Sequence, residues 1–349
     1  MKQATRLRAL LTATTLGFGF GLPAGLGLIA ATASPAMASP AAASGLLAPA
    51  VAAPLAPGGG LSQAVSVGGT VTTPASYSAG QLATLPQTTF TVPARGGSAT
   101  HADQGVSVEQ LVQSAVPVLP AGVKNGLLRV LVTVVPFAGL PETFAVGELD
   151  PSFGDHPAYL VLRQDGRAPL LGPQLVVPGD TNDSRTVYGV RQLIVAVVNA
   201  PATTPAQPGD LRIEAGLFTT VLSAAQLAAL PAETLDVRFA AGSSPQTHTE
   251  TGPTLDEVLA AAHIPPEIVS WVAGVGSDDY IATVTPAEAH VGGRPLLIST
   301  DEDGVPLEQP RLVTDGDVKG GRYDSDLVDL VVGFPSYLSF LDSAQPPPS

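Results

Sequence analysis

Ser78-Ala79-Gly80-Gln81-Leu82-Ala83-Thr84-Leu85-Pro86 returns 145 residues later as Ser223-Ala224-Ala225-Gln226-Leu227-Ala228-Ala229-Leu230-Pro231. Three further anchors recur in the same order: His101 with Gly105 and Leu111-Val112 as His248 with Gly252 and Val258-Leu259, Asp165-Gly166 as Asp303-Gly304, and Gly179-Asp180 with Arg185 as Gly316-Asp317 with Arg322. Four ordered matches define a tandem duplication, and a repeat fixes the domain count before any element is assigned. The offset falls from 147 at the His anchors to 137 at the Arg anchors, which places a deletion of about ten residues in the second copy, between His248 and Asp303.

Each copy reads to the same plan. An opening strand spans Ala64 to Thr70, or Leu211 to Leu217, and precedes a short helix that Ser78 or Ser223 caps and Pro86 or Pro231 stops. A strand around Phe90-Thr91-Val92, or Leu235 to Phe239, leads to a second helix, Ser107 to Ala115 or Thr254 to His263. Its apolar residues recur at spacings of three and four. Strand patterns fill the remainder: Leu127 to Val135, Thr143 to Val146, Ala158 to Arg163, Gln174 to Pro178 and Leu193 to Val198 in the first copy. Trp271 to Val275, Tyr280 to Val284, Leu296 to Ser299, Pro310 to Thr314 and Leu327 to Val332 answer them in the second. The reading is an α+β chain of two mixed, sheet-rich repeats with short helices, 61–200 and 209–334, joined by a linker at 201–208 and followed by a tail at 335–349. Because Pro201 to Gly209 carries no apolar periodicity, the two copies are expected to be separable domains.

The chain of 349 residues is 45% hydrophobic, enough to fill two cores, and contains no Cys. Disulfides, thiolate metal ligands and Cys nucleophiles are thereby excluded. Sixteen basic against thirty acidic residues give a net charge of −14, and without residues 1–38 the balance is 13 against 30. Nucleic acid and anionic membrane surfaces do not suit such a chain as partners.

Lys2, Arg6 and Arg8 precede an apolar run from Ala9 to Ala33, and Ala36-Met37-Ala38 supplies small residues for cleavage before Ser39. That pattern is a secretory signal peptide over 1–38. Leu7 between the two arginines argues against a twin-arginine signal, so the expected route is general secretion to an extracytoplasmic location, with no membrane anchor after cleavage. An uncharged Ala/Pro/Gly spacer, 39–60, follows.

Lys124-Asn125 with Leu127-Leu128-Arg129, Gly147-Glu148-Leu149-Asp150-Pro151 with Phe153-Gly154, and Leu175 to Asp180 ahead of Arg185 resemble the later half of the oxidoreductase molybdopterin-binding domain, the fold of the sulfite oxidase catalytic domain. The second copy is similar at Asp279-Tyr280-Ile281-Ala282, Pro286-Ala287-Glu288, Asp303-Gly304 and Arg311-Leu312-Val313 with Asp317 and Gly320-Gly321-Arg322-Tyr323. The resemblance spans 61–334 and implies two tandem sulfite-oxidase-like domains. The chain looks more similar to small exported members of that family than to a catalytic sulfite oxidase. The Cys thiolate that holds molybdenum in the sulfite oxidase type has no counterpart in this chain.

The candidate cofactor-binding residues are the repeated ones: His101 and His248, Asp180 and Arg185, Asp317 and Arg322 with Gly320 and Gly321. The two His precede Gly in segments that read as exposed loops; an imidazole there can donate to an anion, coordinate a metal or close a turn, with Asp103 and Glu250 the acids nearest in sequence. Each Asp and Arg five residues apart can form a structural pair or leave the guanidinium facing an anion. The glycines favour the second copy as the binding site, since Asp183 and Ser184 stand in their place in the first. The acids of the second copy, Asp278-Asp279, Asp301-Glu302-Asp303, Asp315, Asp317, Asp324, Asp326 and Asp329, read for the most part as solvated turns without the spacing of an EF-hand. No catalytic residue and no protein metal ligand is assigned. The function read from sequence is a secreted two-domain protein, without molybdenum, that binds a small ligand, a wall component or a protein. The alternatives are an exported molybdopterin-dependent oxidoreductase with non-Cys ligation and a structural or adhesive surface protein.

Overall fold

The computed structural model describes residues 64–94 and 99–335; the signal peptide and spacer expected before Ala64, and the tail after Pro335, lie outside the described residues. In the first repeat the order is β1 (Val65–Gly69), β2 (Ala75–Tyr77), α1 (Ala79–Leu82), β3 (Thr88–Pro93), β4 (Thr100–Ser107), α2 (Val108–Ser114), β5 (Val130–Pro136), β6 (Glu142–Ala145), α3 (Val146–Leu149), β7 (Tyr159–Gln164), β8 (Gln174–Val176) and β9 (Val190–Val197). The second runs β10 (Leu211–Ala215), β11 (Phe218–Leu222), α4 (Ala224–Ala228), β12 (Glu233–Ala241), β13 (Ser244–Gly252), α5 (Leu255–Ala261), β14 (Trp271–Gly276), β15 (Ile281–Val284), α6 (Pro286–His290), β16 (Leu296–Glu302), β17 (Val305–Thr314) and β18 (Leu327–Gly333).

Each repeat is a five-stranded and a four-stranded sheet. The orders β2-β1-β9-β5-β6 and β3-β4-β7-β8 in the first become β11-β10-β18-β14-β15 and β12-β13-β16-β17 in the second. Adding nine to every strand number of the first repeat gives the second, so the duplication extends to the whole topology. In each five-stranded sheet the opening strand lies parallel to the closing strand, β1 on β9 and β10 on β18, while the other neighbours are antiparallel. The architecture is α+β, two similarly built mixed-sheet domains with short helices.

Local chemistry sets the helices. Gln81 N donates to Ser78 Oγ at 3.3 Å while Ser78 N donates to Gln81 Oε1 at 2.8 Å, and Ser223 with Gln226 repeats this capping box. Val108, Leu111 and Val112 of α2, and Leu255, Val258 and Leu259 of α5, bury one face in their own repeat's core. Two separate apolar cores result, one running from Val65 to Val197 and the other from Leu211 to Val332.

Strands β4 and β13 depart from the sequence reading, which made them loops. Thr100-His101-Ala102-Asp103-Gln104-Gly105 and Pro245 to Gly252 are polar on both faces, because the residues turned inward include Asp103 and Glu250, both 0% exposed. Buried acids in place of Val or Ile erase the alternation by which a strand is recognised. The linker is also docked onto the second repeat. Ala202 N donates to Asp279 Oδ1, Thr203 N donates to Asp329 Oδ2, and Ala200 and Ala202 pack against Ala273, Val275 and Ile281.

The two repeats meet through a pseudo-twofold interface within one chain. Thr181 N donates to Val291 O at 2.8 Å, and Val318 N, at the matching position of the second repeat, donates to Phe153 O at 2.7 Å. Such reciprocity is the signature of an isologous contact. We expect halves cut between Thr203 and Gln207 and coexpressed to copurify through a tag on either one. Failure to copurify would mean that the covalent linker alone holds the repeats together.

Candidate functional site

The repeated Asp and Arg residues lie at this interface, fully inside. Arg322 is 0% exposed and Arg185 2%. In the second repeat Arg322 Nε and Nη2 donate to Asp317 Oδ2 and Oδ1 at 2.9 and 2.6 Å, and Nη1 donates to Glu288 Oε2 at 2.6 Å. In the first, Arg185 Nε and Nη2 donate to Asp180 Oδ2 and Oδ1 at 2.9 and 2.5 Å, and Nη1 donates to Glu148 Oε1 at 2.7 Å. These are two copies of one bidentate knot. In the first knot the guanidinium carbon also lies 5.0 Å from the centroid of the Phe144 ring.

A fourth residue bridges acid to acid in each knot, and it differs between the copies. His156 places Nδ1 3.2 Å from Glu148 Oε1 and Nε2 3.4 Å from Asp180 Oδ1. Its counterpart Arg294 pairs with Asp317, stands 4.0 Å from Glu288, and crosses the interface to donate from Nη1 to Gly154 O at 2.8 Å. The reciprocal contact is His156 against Gly292, where a Cβ would come within 3.0 Å of its Cε1. Gly154-Asp155-His156-Pro157 and Gly292-Gly293-Arg294-Pro295 are thus a fifth repeat anchor, legible in the sequence. Burial, against the pull of Arg322 and with the help of Glu148, raises the Glu288 carboxyl to about 7.

Gly320 and Gly321 serve close approach, since neither has positive φ. A Cβ on Gly320 would overlap the Phe239 ring and one on Gly321 the Phe153 ring of the other repeat. The two candidate histidines lie on β4 and β13, with the His248 ring stacked 5.9 Å from Phe239, and their Asp partners come from the Asp-Gly turns and not from Asp103 or Glu250. His101 Nδ1 is 2.7 Å from Asp165 Oδ2 and His248 Nδ1 is 3.0 Å from Asp303 Oδ2, while the other oxygen of each Asp accepts from Ala102 N or Thr249 N. Both Asp take positive φ, 50° and 55°, ahead of Gly166 and Gly304. Asp103 instead accepts from Gln164, and Glu250 binds Ser299 and Arg311. The repeated His-Asp pair closes a hairpin.

Beside the second knot the repeats enclose a cleft of about 580 Å³, lined by Lys124, Asn125 and Phe153 of the first and by Phe239, Asp278, Tyr280, Lys319 to Gly321 and Tyr323 to Asp326 of the second. Tyr280 OH joins the two walls, accepting from Asn125 Nδ2 at 3.0 Å and donating to Gly321 O at 2.5 Å. The cleft holds two buried polar groups without a side-chain hydrogen-bond partner, the hydroxyl of Tyr323 and the carboxylate of Asp324, the latter beside the Gly276 backbone amide. Asp324 is 1% exposed, so it is no solvated turn; Asp317 and Asp329 of the same set are buried as well. Burial, reinforced by Asp278 and Asp326, pushes the Asp324 carboxyl up to about 8.

The other repeat shows what the fold itself requires at this position. Leu312 and Asp324 exchange backbone hydrogen bonds of 3.0 and 3.1 Å, as Leu175 and Val187 do at 2.8 and 3.2 Å. Val187 is buried and apolar. Where the first repeat places a valine, the second places a carboxylic acid.

Among the described residues no group of three or more His, Asp or Glu side chains is placed to hold a metal ion, and no helix is long and apolar enough to cross a membrane. No protein-family model matches the chain, and none of the curated proteins compared with it matches. Among solved structures, the sulfane dehydrogenase SoxCD from Paracoccus pantotrophus is similar over 76% of this chain and 78% of that one, at 15% identity and a TM-score of 0.31, a weak and partial likeness.

Two stability predictions follow from burial. Arg322→Ala leaves Asp317 and Glu288 buried without their guanidinium and should cost about 3–5 kcal/mol in urea titration, with Arg185→Ala comparable. Asp324→Val should stabilise by about 1–3 kcal/mol near neutral pH, since it removes a buried polar group without a side-chain partner. The sign with pH is fixed. A carboxyl whose folded pKa of about 8 exceeds the ordinary aspartate value of 3.8 takes up protons on folding, so its stabilising contribution falls as pH rises between those values. The advantage of Asp324→Val over wild type should therefore grow from pH 4 to pH 8 and level off above.

Proposed function

We propose that this chain is an exported two-domain binding protein whose small ligand occupies the cleft where the two repeats meet. The observation that carries the reading is the pair of buried polar groups without a side-chain partner, Tyr323 OH and the Asp324 carboxyl, lining a cleft of about 580 Å³ walled by both repeats. Buried polar groups are normally satisfied, and a bound ligand is one way to satisfy them. A concavity of about 500 Å³ at Gln164 to Leu170 is formed by one exposed hairpin alone, where Asp165 is already engaged by His101.

The signal-like amino end supports export, and the sulfite-oxidase-like reading of the fold rests on the sequence motifs. A molybdopterin centre does not fit the residues present. The chain has no thiolate, and Arg185 and Arg322, the cations that the resemblance places near a cofactor, spend their donors on buried carboxylates. The cleft therefore supports a binding protein better than a molybdenum oxidoreductase. A second reading, docking of a protein or wall polymer, is favoured by the exposed apolar side chains Phe137, Leu140, Leu170 and Leu171 of the first repeat.

Screening the mature chain by thermal shift against sugars, amino acids, amines and wall fragments should find a stabilising compound, because a ligand that binds only the folded state raises its melting temperature. Ala241→Trp, at the exposed rim, should abolish that shift without lowering the melting point of the free protein. A shift that survives Ala241→Trp would put the ligand elsewhere and overturn the cleft.

A further inference from the structure

We propose that the ligand of this cleft is a small organic monocation, an ammonium or guanidinium compound whose charged end sits on the carboxylate of Asp324; this rests on the cleft being the binding site. Four observations point to that chemistry. The first is the placement of Asp324, 1% exposed and without a side-chain hydrogen-bond partner, with only the Gly276 backbone amide beside its carboxylate. The second is that the fold is content with Val187 at the corresponding place in the first repeat, so the acid is not retained for packing.

The third is the charge count. The titratable groups lining the cleft are Asp278, Asp324 and Asp326, Lys124 and Lys319, and the phenols of Tyr280 and Tyr323. Both lysines are exposed at the rim. With all three carboxylates ionised, one has no counter-charge. In the free protein a proton on Asp324 supplies it, and a bound monocation supplies it equally well. The fourth is the wall. Phe153, Phe239, Tyr280 and Tyr323 present aromatic surface of the kind that holds ammonium and guanidinium groups. A bare metal ion does not answer this description, because no set of three His, Asp or Glu ligands is assembled among the described residues.

Binding is then an exchange that balances in charge. The cation enters, the O–H bond of the Asp324 carboxyl breaks, and one proton leaves to solvent as the carboxylate pairs with the cation. Two consequences follow that a neutral or anionic ligand would not produce. Below the pKa of Asp324 affinity should rise about tenfold per pH unit, and binding should release about one proton.

The test is calorimetry on the mature chain with n-butylguanidine, n-butylamine and glucosamine, each at concentrations up to tens of millimolar, against n-butanol, glucose and acetate as uncharged or anionic counterparts. At pH 6.5, in buffers of different ionisation enthalpy, at least one of the three cations should bind with release of about one proton while its counterpart does not bind. Asp324→Asn and Asp324→Val should each lose at least tenfold in affinity together with the proton release. Asp324→Val carries the residue that the first repeat uses, so its melting point, at or above that of wild type, shows that the loss is not unfolding. Retention of cation binding in Asp324→Asn overturns the proposal. Binding of glucose, n-butanol or acetate in the cleft, with none of the cations, overturns it while leaving the cleft as the binding site. No binding by any of the six, when the thermal-shift screen has found a ligand that Ala241→Trp abolishes, also overturns the cation and spares the cleft. Silence in both experiments removes both.

Discussion

A guanidinium group without water is the constraint on which the rest of this structure depends. Arg185 and Arg322 are buried where the two repeats meet, and a buried cation is tolerated only when its donors are met by charge and by geometry. Each repeat meets the demand locally. An Asp five residues upstream takes Nε and Nη2 in a fork, and a Glu from the short helix α3 or α6 takes Nη1. The close approach of backbone to ring at Gly320 and Gly321, the reciprocal bonds of Thr181 and Val318, and the reach of Arg294 to Gly154 follow from packing those knots against each other. In a chain without Cys, the interface has no covalent staple beyond the linker, and this polar network fixes its register while the two apolar cores supply bulk stability.

Duplication makes the molecule its own control. Strand order, caps, the His-Asp hairpin pairs and the Arg knots are the same in both copies, so they are what the fold needs. Three of the differences lie together at the junction: His156 against Arg294, Ser184 against Gly321, Val187 against Asp324. Gly321 admits the Phe153 ring, which lets the walls of the cleft converge. Asp324 then puts an acid on a site that in the first repeat is filled and apolar.

The sequence by itself determined the duplication, the helix caps and most strands, because these depend on neighbours within a few residues: Ser78 needs only Gln81, and α2 needs only an apolar stripe. It also supplied Asp180 with Arg185 and Asp317 with Arg322 as pairs, since five residues across a turn bring them together. Tertiary structure alone decided the remainder. Glu148 and Glu288 complete the knots from segments 37 and 34 residues away, and His101 finds Asp165 across 64 residues. Strands β4 and β13 are not legible in the sequence because their inward residues are acids that become acceptable only once Gln164, Ser299 and Arg311 arrive from other strands. Asp324 looked like one acid among many; whether a carboxyl is solvated or sealed depends on what folds over it, and that is a property of the assembled interface.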